Sequence, residues 1–304
     1  MAGFQLQIRL LLTILAAVSG VSAHTALGAD LGASEPTPIP RAAAQWKISV
    51  TPYGWLPFLT GDVTVKGRAA QIDVNPIEVL ENLDAMPWMS YFEARRGPLA
   101  FYNDIFYAKL GIDVSRARSL SGLTLDTTLG ADFTQAVIEV GGAYEVTKWC
   151  SSGGAKNPDT FSRCTAVDLL AGARYWHQDL SINLAVTGGL DTTGLVLAGG
   201  RAIARSGSVD WIDPLVGVRL RHQLAPGQEL LLRGDIGGFG VGSEFSWNLL
   251  GAYSWQIAAR NGVTYAGILG YRLLSVDYQQ GSGLNRYEYD VLQHGPLLGL
   301  TVGF

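Results

Sequence analysis

RYEYDVLQHGPLLGLTVGF, residues Arg286 to Phe304, is the stretch from which the fold is read. Counting back in twos from Phe304 meets Val302, Leu300 and Leu298, all apolar. The alternate positions Gly303, Thr301 and Gly299 are small or weakly polar, and Tyr287 and Tyr289 stand at the other end. A period of two puts successive side chains on opposite faces of a strand, so one face here is greasy and the other is not.

The composition extends this to the whole chain. Of 304 residues, 48% are hydrophobic, only 16% are charged and 38 are glycine. No run of about 18 apolar residues, the length of a membrane-spanning helix, occurs beyond the N-terminus. High apolar content without helical spans fits a membrane barrel, in which apolar residues are spread over every second position. The formal net charge of −4, with no basic stripe, excludes a nucleic-acid partner. An alternating strand that finishes on Phe304 is similar to the signal by which barrel-assembly machinery recognises outer-membrane proteins. Leu298, Leu300, Val302 and Phe304 are its candidate residues. Assembly machinery, outer-membrane lipid and lipopolysaccharide are therefore the expected partners, with small polar solutes added if the lumen is open.

The N-terminus reads as a secretory signal over residues 1–23. Arg9 supplies the positive charge, Leu10 to Val18 form a short apolar core, and Val21-Ser22-Ala23 is a small-residue cleavage site. Residues 24–45 are rich in Ala and Pro without periodicity and are expected to be a flexible lead. The only two cysteines, Cys150 and Cys164, bracket a polar stretch. An exported chain in an oxidising compartment favours their pairing as a disulfide over zinc binding, since no histidine lies nearby.

From Trp46 to Phe304 the texture is alternating strands broken by Gly, Pro and Asn turns. The expected fold is all-β, a transmembrane antiparallel up-and-down barrel of about ten strands, with eight to twelve open. The wall segments are 46–58, 87–97, 98–110, 124–147, 164–178, 208–222, 228–240, 244–259, 262–279 and 286–304. Tight links at Arg96-Gly97-Pro98, Ala225-Pro226-Gly227-Gln228 and Arg260-Asn261-Gly262, together with the cysteine loop, mark one end of the barrel. Longer links, 59–86 and 179–207, mark the other, the asymmetry of an outer-membrane barrel, although two links there, near Gly238–Gly242 and Gln280–Asn285, are short and 61–74 and 181–205 contain strand-like pieces. Pro76 to Asp84 has the form of a short helix with Pro in its first turn.

Turning the apolar positions to lipid sends their alternates into the lumen. Glu93, Arg95, Asp104, Glu139, Asp168, Arg174, Asp213, Arg219, Arg221, Arg233, Asp235 and Arg272 then face inward, six acids with six arginines. An arginine on the lipid face costs about 2–4 kcal/mol at mid-bilayer, and charges confined in a narrow lumen are expected to pair. Two roles stay open for them, a salt-bridged plug and a narrow polar channel. Trp and Tyr near strand ends are expected to form interfacial girdles.

No sequence motif for catalysis, cofactor or metal binding is present. Gly237 to Gly242 is glycine-rich like a phosphate loop, but alternation resumes at Glu244 where a helix is required. His177, beside Asp179, and His294 lack a nucleophile–base–orienter set, so no enzyme is expected. WKISVTPYGWLP, YFEARRGPLAFYNDIFYAKL, VDLLAGARYW, WIDPLVGVRLR, LLRGDIGGFGVGSEFSWNLLGAYSW, GILGYRLLSVDY and HGPLLGLTVGF together resemble a family of uncharacterised proteobacterial outer-membrane β-barrel proteins. The resemblance implies a barrel in the outer membrane of a Gram-negative bacterium and no substrate. The expected role is passive, structural or porin-like. The alternative is a surface adhesion module built on 59–86 and 179–207, and a barrel enzyme acting on lipid or peptide ranks below both.

Overall fold

The computed structural model describes residues 45–65, 67–120, 123–152, 161–192 and 195–304. The signal peptide expected at 1–23 and the lead at 24–45 lie outside these residues, apart from Gln45. Twelve strands form one antiparallel sheet: β1 (Lys47–Trp55), β2 (Phe58–Val65), β3 (Arg68–Val74), β4 (Trp88–Arg96), β5 (Leu99–Leu120), β6 (Leu123–Ser152), β7 (Ser162–Thr192), β8 (Leu195–Ala225), β9 (Gln228–Gly237), β10 (Phe245–Arg260), β11 (Val263–Gln280) and β12 (Tyr287–Gly303). A helix, α1 (Pro76–Glu81), joins β3 to β4.

Ten of the strands close into a barrel. The order runs from β1 to β4 and then consecutively to β12, which pairs back onto β1. The β2–β3 hairpin continues the wall along the other half of β12, from Phe58↔His294 to Val65↔Tyr287. The hand-over is tight. A Cβ at Gly295 would lie 2.0 Å from the carbonyl oxygen of Leu56, so only glycine lets β12 pass where β1 gives way to β2.

Three of the four links placed at one end of the barrel are tight turns between β4 and β5, β8 and β9, and β10 and β11; most of the fourth, the cysteine loop, lies outside the described residues. The β10–β11 turn is Asn261 (φ 52) and Gly262 (φ 80), both left-handed, which matches the twist of the flanking strands. The other end departs from expectation. Residues 179–192 and 195–207 continue β7 and β8, paired without a break from Asp179↔Ser208 to Thr192↔Leu195, where a long link was expected. β5 and β6 are likewise paired out to Leu120↔Leu123. At about 3.3 Å per residue, the 30 residues of β6 reach roughly 100 Å, several times what a membrane needs. The far halves of β5 to β8 therefore form a four-stranded sheet that projects past the barrel. The strand-like pieces within 181–205 belong to these extended strands. Within 59–86, β2, β3 and α1 also replace the expected loop. Asn75 caps α1 by accepting from the N–H groups of Ile77 and Glu78, and the Glu78 carboxylate reaches back to the Asn75 N–H.

The exterior carries an apolar belt. Leu169, Val216, Val218, Leu232, Leu249, Leu269 and Leu298 are all exposed, and each alternates with a lumen-facing neighbour. That many exposed aliphatic groups on the outer face of a closed barrel have one stable surrounding, the bilayer core. Leu300 and Phe304 continue this face, with Val302 half-buried between them. Phe304 also closes the seam: its N–H donates to the Ile48 carbonyl at 2.8 Å, and the Ile48 N–H donates back at 3.2 Å.

Cys150 and Cys164 stand opposite each other on β6 and β7 and are disulfide-bonded. The bond spans a sequence separation of 14, for which loop-closure entropy gives about 3 kcal/mol of stability. Reduction is expected to lower the urea midpoint of the folded barrel, and the Cys150→Ser/Cys164→Ser variant should show the same midpoint with and without reductant.

Candidate functional site

The lumen is layered from the short-turn end upward. First comes an open vestibule of about 610 Å³, lined by Ser49, Thr51, Leu231, Leu250 and Ser254 among others. It runs alongside two groups of ion pairs: Arg95 and Arg221 of the lower and Asp104 and Arg272 of the upper also line it.

In the lower group Asp168, fully buried, holds three arginines: Arg95 at 2.9 Å, Arg219 at 2.7 Å and Arg221 at 3.2 Å. Glu93 pairs with Arg95 and Arg219 and accepts from the Tyr91 hydroxyl, while Glu145 pairs with Arg221 at 2.8 Å. In the upper group the Arg174 guanidinium bridges Glu139 (2.7 Å) and Asp235 (2.6 Å). Arg233 bonds the same two carboxylates from the other side, and Asn248 donates to Asp235 and accepts from Arg272. Arg272 ends the chain on Asp104, which also accepts from the Tyr53 hydroxyl.

Each group is neutral. Asp168, Glu93 and Glu145 face Arg95, Arg219 and Arg221; Glu139, Asp235 and Asp104 face Arg174, Arg233 and Arg272. Mutual neutralisation with several hydrogen bonds per ion is what makes burial of so many charges tolerable. The arginine fork suits this shared, multi-partner geometry better than an ammonium.

Eleven of the twelve charges expected in the lumen belong to these two groups. Asp213 is the exception: it is fully buried and faces the lumen, but accepts from Trp176 Nε1 (3.1 Å) and the Ser243 N–H (2.7 Å). It thereby anchors the loop that follows β9. That loop is the glycine-rich stretch, with Gly238, Phe239 and Gly240 at positive φ. A Cβ at Gly242 would lie 2.6 Å from the Asp213 carboxylate, so the loop backbone packs directly on that anchor. Glu145 takes the place that Asp213 was expected to fill. It lies in phase with Glu139, so the alternation carried the signal, but its position near the cysteine loop hid it. The hydroxyls of Tyr53 and Tyr91 and the amide of Asn248 were missed because no charge flags them.

Above the ions lies an apolar layer. Trp176, Trp211 and Tyr278 stack across the lumen, with ring centroids 5.4 and 3.9 Å apart. Val137, Leu274, Val276 and Val291 pack around them. Beside this layer, under α1, is a second cavity of about 450 Å³, which shares no lining residue with the vestibule.

Neither histidine forms a catalytic set. His177 Nδ1 pairs with Asp210 at 2.7 Å, in place of Asp179, on the outer face of the wall, and the Tyr175 hydroxyl donates to the same carboxylate. His294 bonds the Tyr271 hydroxyl at 2.7 Å and stacks on Phe58. These rings form part of an aromatic girdle at the long-hairpin end.

Beyond that girdle, Asp62, Asp290 and Asp277 stand directly opposite one another across β2, β12 and β11. Partial burial raises the Asp290 carboxyl, with Asp62 and Glu288 adding to it; burial, then Asp290 and Glu244, raises Asp277. Between the ordinary Asp value, about 3.9, and these raised folded values, the folded state binds more protons than the unfolded one. Stability should therefore rise as pH falls from neutral into that window. Hydrogen exchange is expected to show stronger protection of the Val63 and Val291 amides at pH 5 than at pH 7, after correction for intrinsic rates, and Asp290→Asn should flatten the difference.

No family model matches the chain, and no curated relative matches it. Solved structures similar to it are outer-membrane proteins. One is the attachment invasion locus protein Ail of Yersinia pestis, in complex with a heparin analogue (10% identity, TM-score 0.29, 85% of this chain and 98% of that one). A FadL homologue of Pseudomonas aeruginosa shares 8% identity at TM-score 0.23, covering 86% and 89%. OmpT of Vibrio cholerae shares 8% at 0.24, covering 86% and 97%. Similarity at this level carries no inference about role, which has to come from the residues themselves.

Proposed function

We propose that this protein is a passive, closed barrel of a Gram-negative outer membrane, its short turns toward the periplasm and its long hairpins outside the cell. One observation carries the reading: two neutral ion-pair groups and a stacked Trp–Trp–Tyr layer occupy the lumen, and the vestibule and upper cavity share no lining residue. Such a plug braces the wall from within and gives a polar solute no continuous path. The role is then structural support of the envelope. Deleting the gene in its host is expected to raise uptake of a hydrophobic probe such as N-phenylnaphthylamine, with rescue by the wild-type protein. Slower uptake of small polar solutes in the deletion strain, with the hydrophobic probe unchanged, would overturn the reading in favour of a channel.

A second reading rests on the projecting sheet of β5 to β8, whose strands exceed the about 9–11 residues that a wall strand needs by about 11 to 22 each. A surface built this far out suits adhesion. Shortening both hairpins while retaining the barrel should reduce binding of the cells to host or abiotic surfaces, and unchanged binding removes this reading.

A further inference from the structure

The cavity under α1 differs from the rest of the lumen in chemistry and in where it opens. Trp55, Phe106, Leu110 and Phe133 wall it, and Val79 and Leu83 roof it. Its size, about 450 Å³, is that of a small-molecule site. The lining also includes Gly54 and Leu298, which alternate with lumen-facing residues and so belong to the lipid-facing side of β1 and β12.

The wall is incomplete at that point. The β1–β4 ladder stops at Pro52↔Ser90, although β1 runs on to Trp55 and β4 begins at Trp88. Pro57 and Pro87 bound the two strands there, and a proline cannot donate to a ladder. The Trp55 N–H finds the Met89 thioether sulfur, a weak acceptor, at 3.1 Å. Beside this break Gly54 carries no side chain, and a Cβ built on it meets nothing within 4 Å.

The floor of the cavity is polar in one place. Gln135, 3% exposed, accepts from Gln293 Nε2 through its oxygen, while its own Nε2, near the Tyr289 hydroxyl, completes no hydrogen bond among the described residues. A buried amide donor left unpaired in an apolar cavity costs about 1–3 kcal/mol, which an acceptor oxygen on a ligand would recover.

We propose that this cavity binds one hydrocarbon chain ending in an acceptor oxygen, such as an acyl chain, admitted from the bilayer through the gap between β1 and β4. The oxygen bonds Gln135 Nε2, the first methylenes lie among the aromatic walls, and the rest of the chain leaves past Gly54 into lipid. This goes beyond the closed-barrel reading and does not depend on it, because the cavity lies to one side of the ion groups.

Native mass spectrometry of the detergent-solubilised barrel tests it, with palmitic acid or dipalmitoyl phosphatidylethanolamine added and folding checked on unboiled gels. The wild type is expected to retain one such ligand per barrel. Ala108→Leu, which fills the cavity, and Gly54→Leu, which narrows the mouth, should each lower occupancy at least tenfold; Gln135→Leu should lower it severalfold. Gly54→Leu is open to solvent or lipid on the exterior and keeps the test valid where Ala108→Leu does not fold. Retention of palmitic acid or of the phospholipid identifies the source of the chain, and either supports the site. No retained ligand in the wild type, or equal retention in Gly54→Leu and Gln135→Leu, overturns it.

Discussion

Arg174→Ala should cost about 3–5 kcal/mol of barrel stability, the range for removing one partner from a buried charge network. Arg174 is completely buried and is the residue that bridges Glu139 and Asp235. Its loss leaves two buried carboxylates to share Arg233. The deficit should be largely repaired by adding Glu139→Gln to Arg174→Met, because Arg233 and Asp235, 2.9 Å apart, then remain as a neutral pair. Urea unfolding in detergent micelles reads both. A double variant as unstable as the sum of its two single variants would show that the network acts as independent charges.

Removal of Phe304 is expected to impair membrane assembly more than any single substitution in the lumen. It takes away both hydrogen bonds of the seam with Ile48, together with an exposed ring on the lipid-facing side. A barrel wall is held by its neighbours on both sides, so a loss at the closing seam acts on a step that every strand awaits, whereas a lumenal change acts after closure. The measurement is the fraction of protein that migrates as the compact form on unboiled gels of membrane fractions. Arg174→Ala should leave most of this fraction in place and the Phe304 deletion should remove most of it; the reverse order would show that the plug, and not the seam, limits assembly.

The ten wall strands were legible because a bilayer enforces a strict rule. Every second residue meets lipid, so Leu169, Val218 and Leu232 betray Asp168, Arg219 and Arg233 beside them. Beyond the bilayer the rule lapses: 181–205 read only as strand-like pieces within a link, because nothing outside the membrane forces an apolar–polar alternation on β7 and β8. Partner choice inside the lumen was also hidden. Alternation says that Asp213 points inward but not that a loop N–H, rather than an arginine, meets it. The cavity under α1 left no trace in the pattern, since it arises where two strands stop pairing, and strand ends carry little periodic information.

Single-channel recording of the purified wild-type protein in planar lipid bilayers tests the sealed lumen most directly. The ion groups and the stacked rings occupy it and its two cavities share no lining residue, so the expected trace is a flat baseline after insertion, with insertion verified independently by protease protection. Regular conductance steps from the inserted wild type would contradict a plugged barrel and establish a pore.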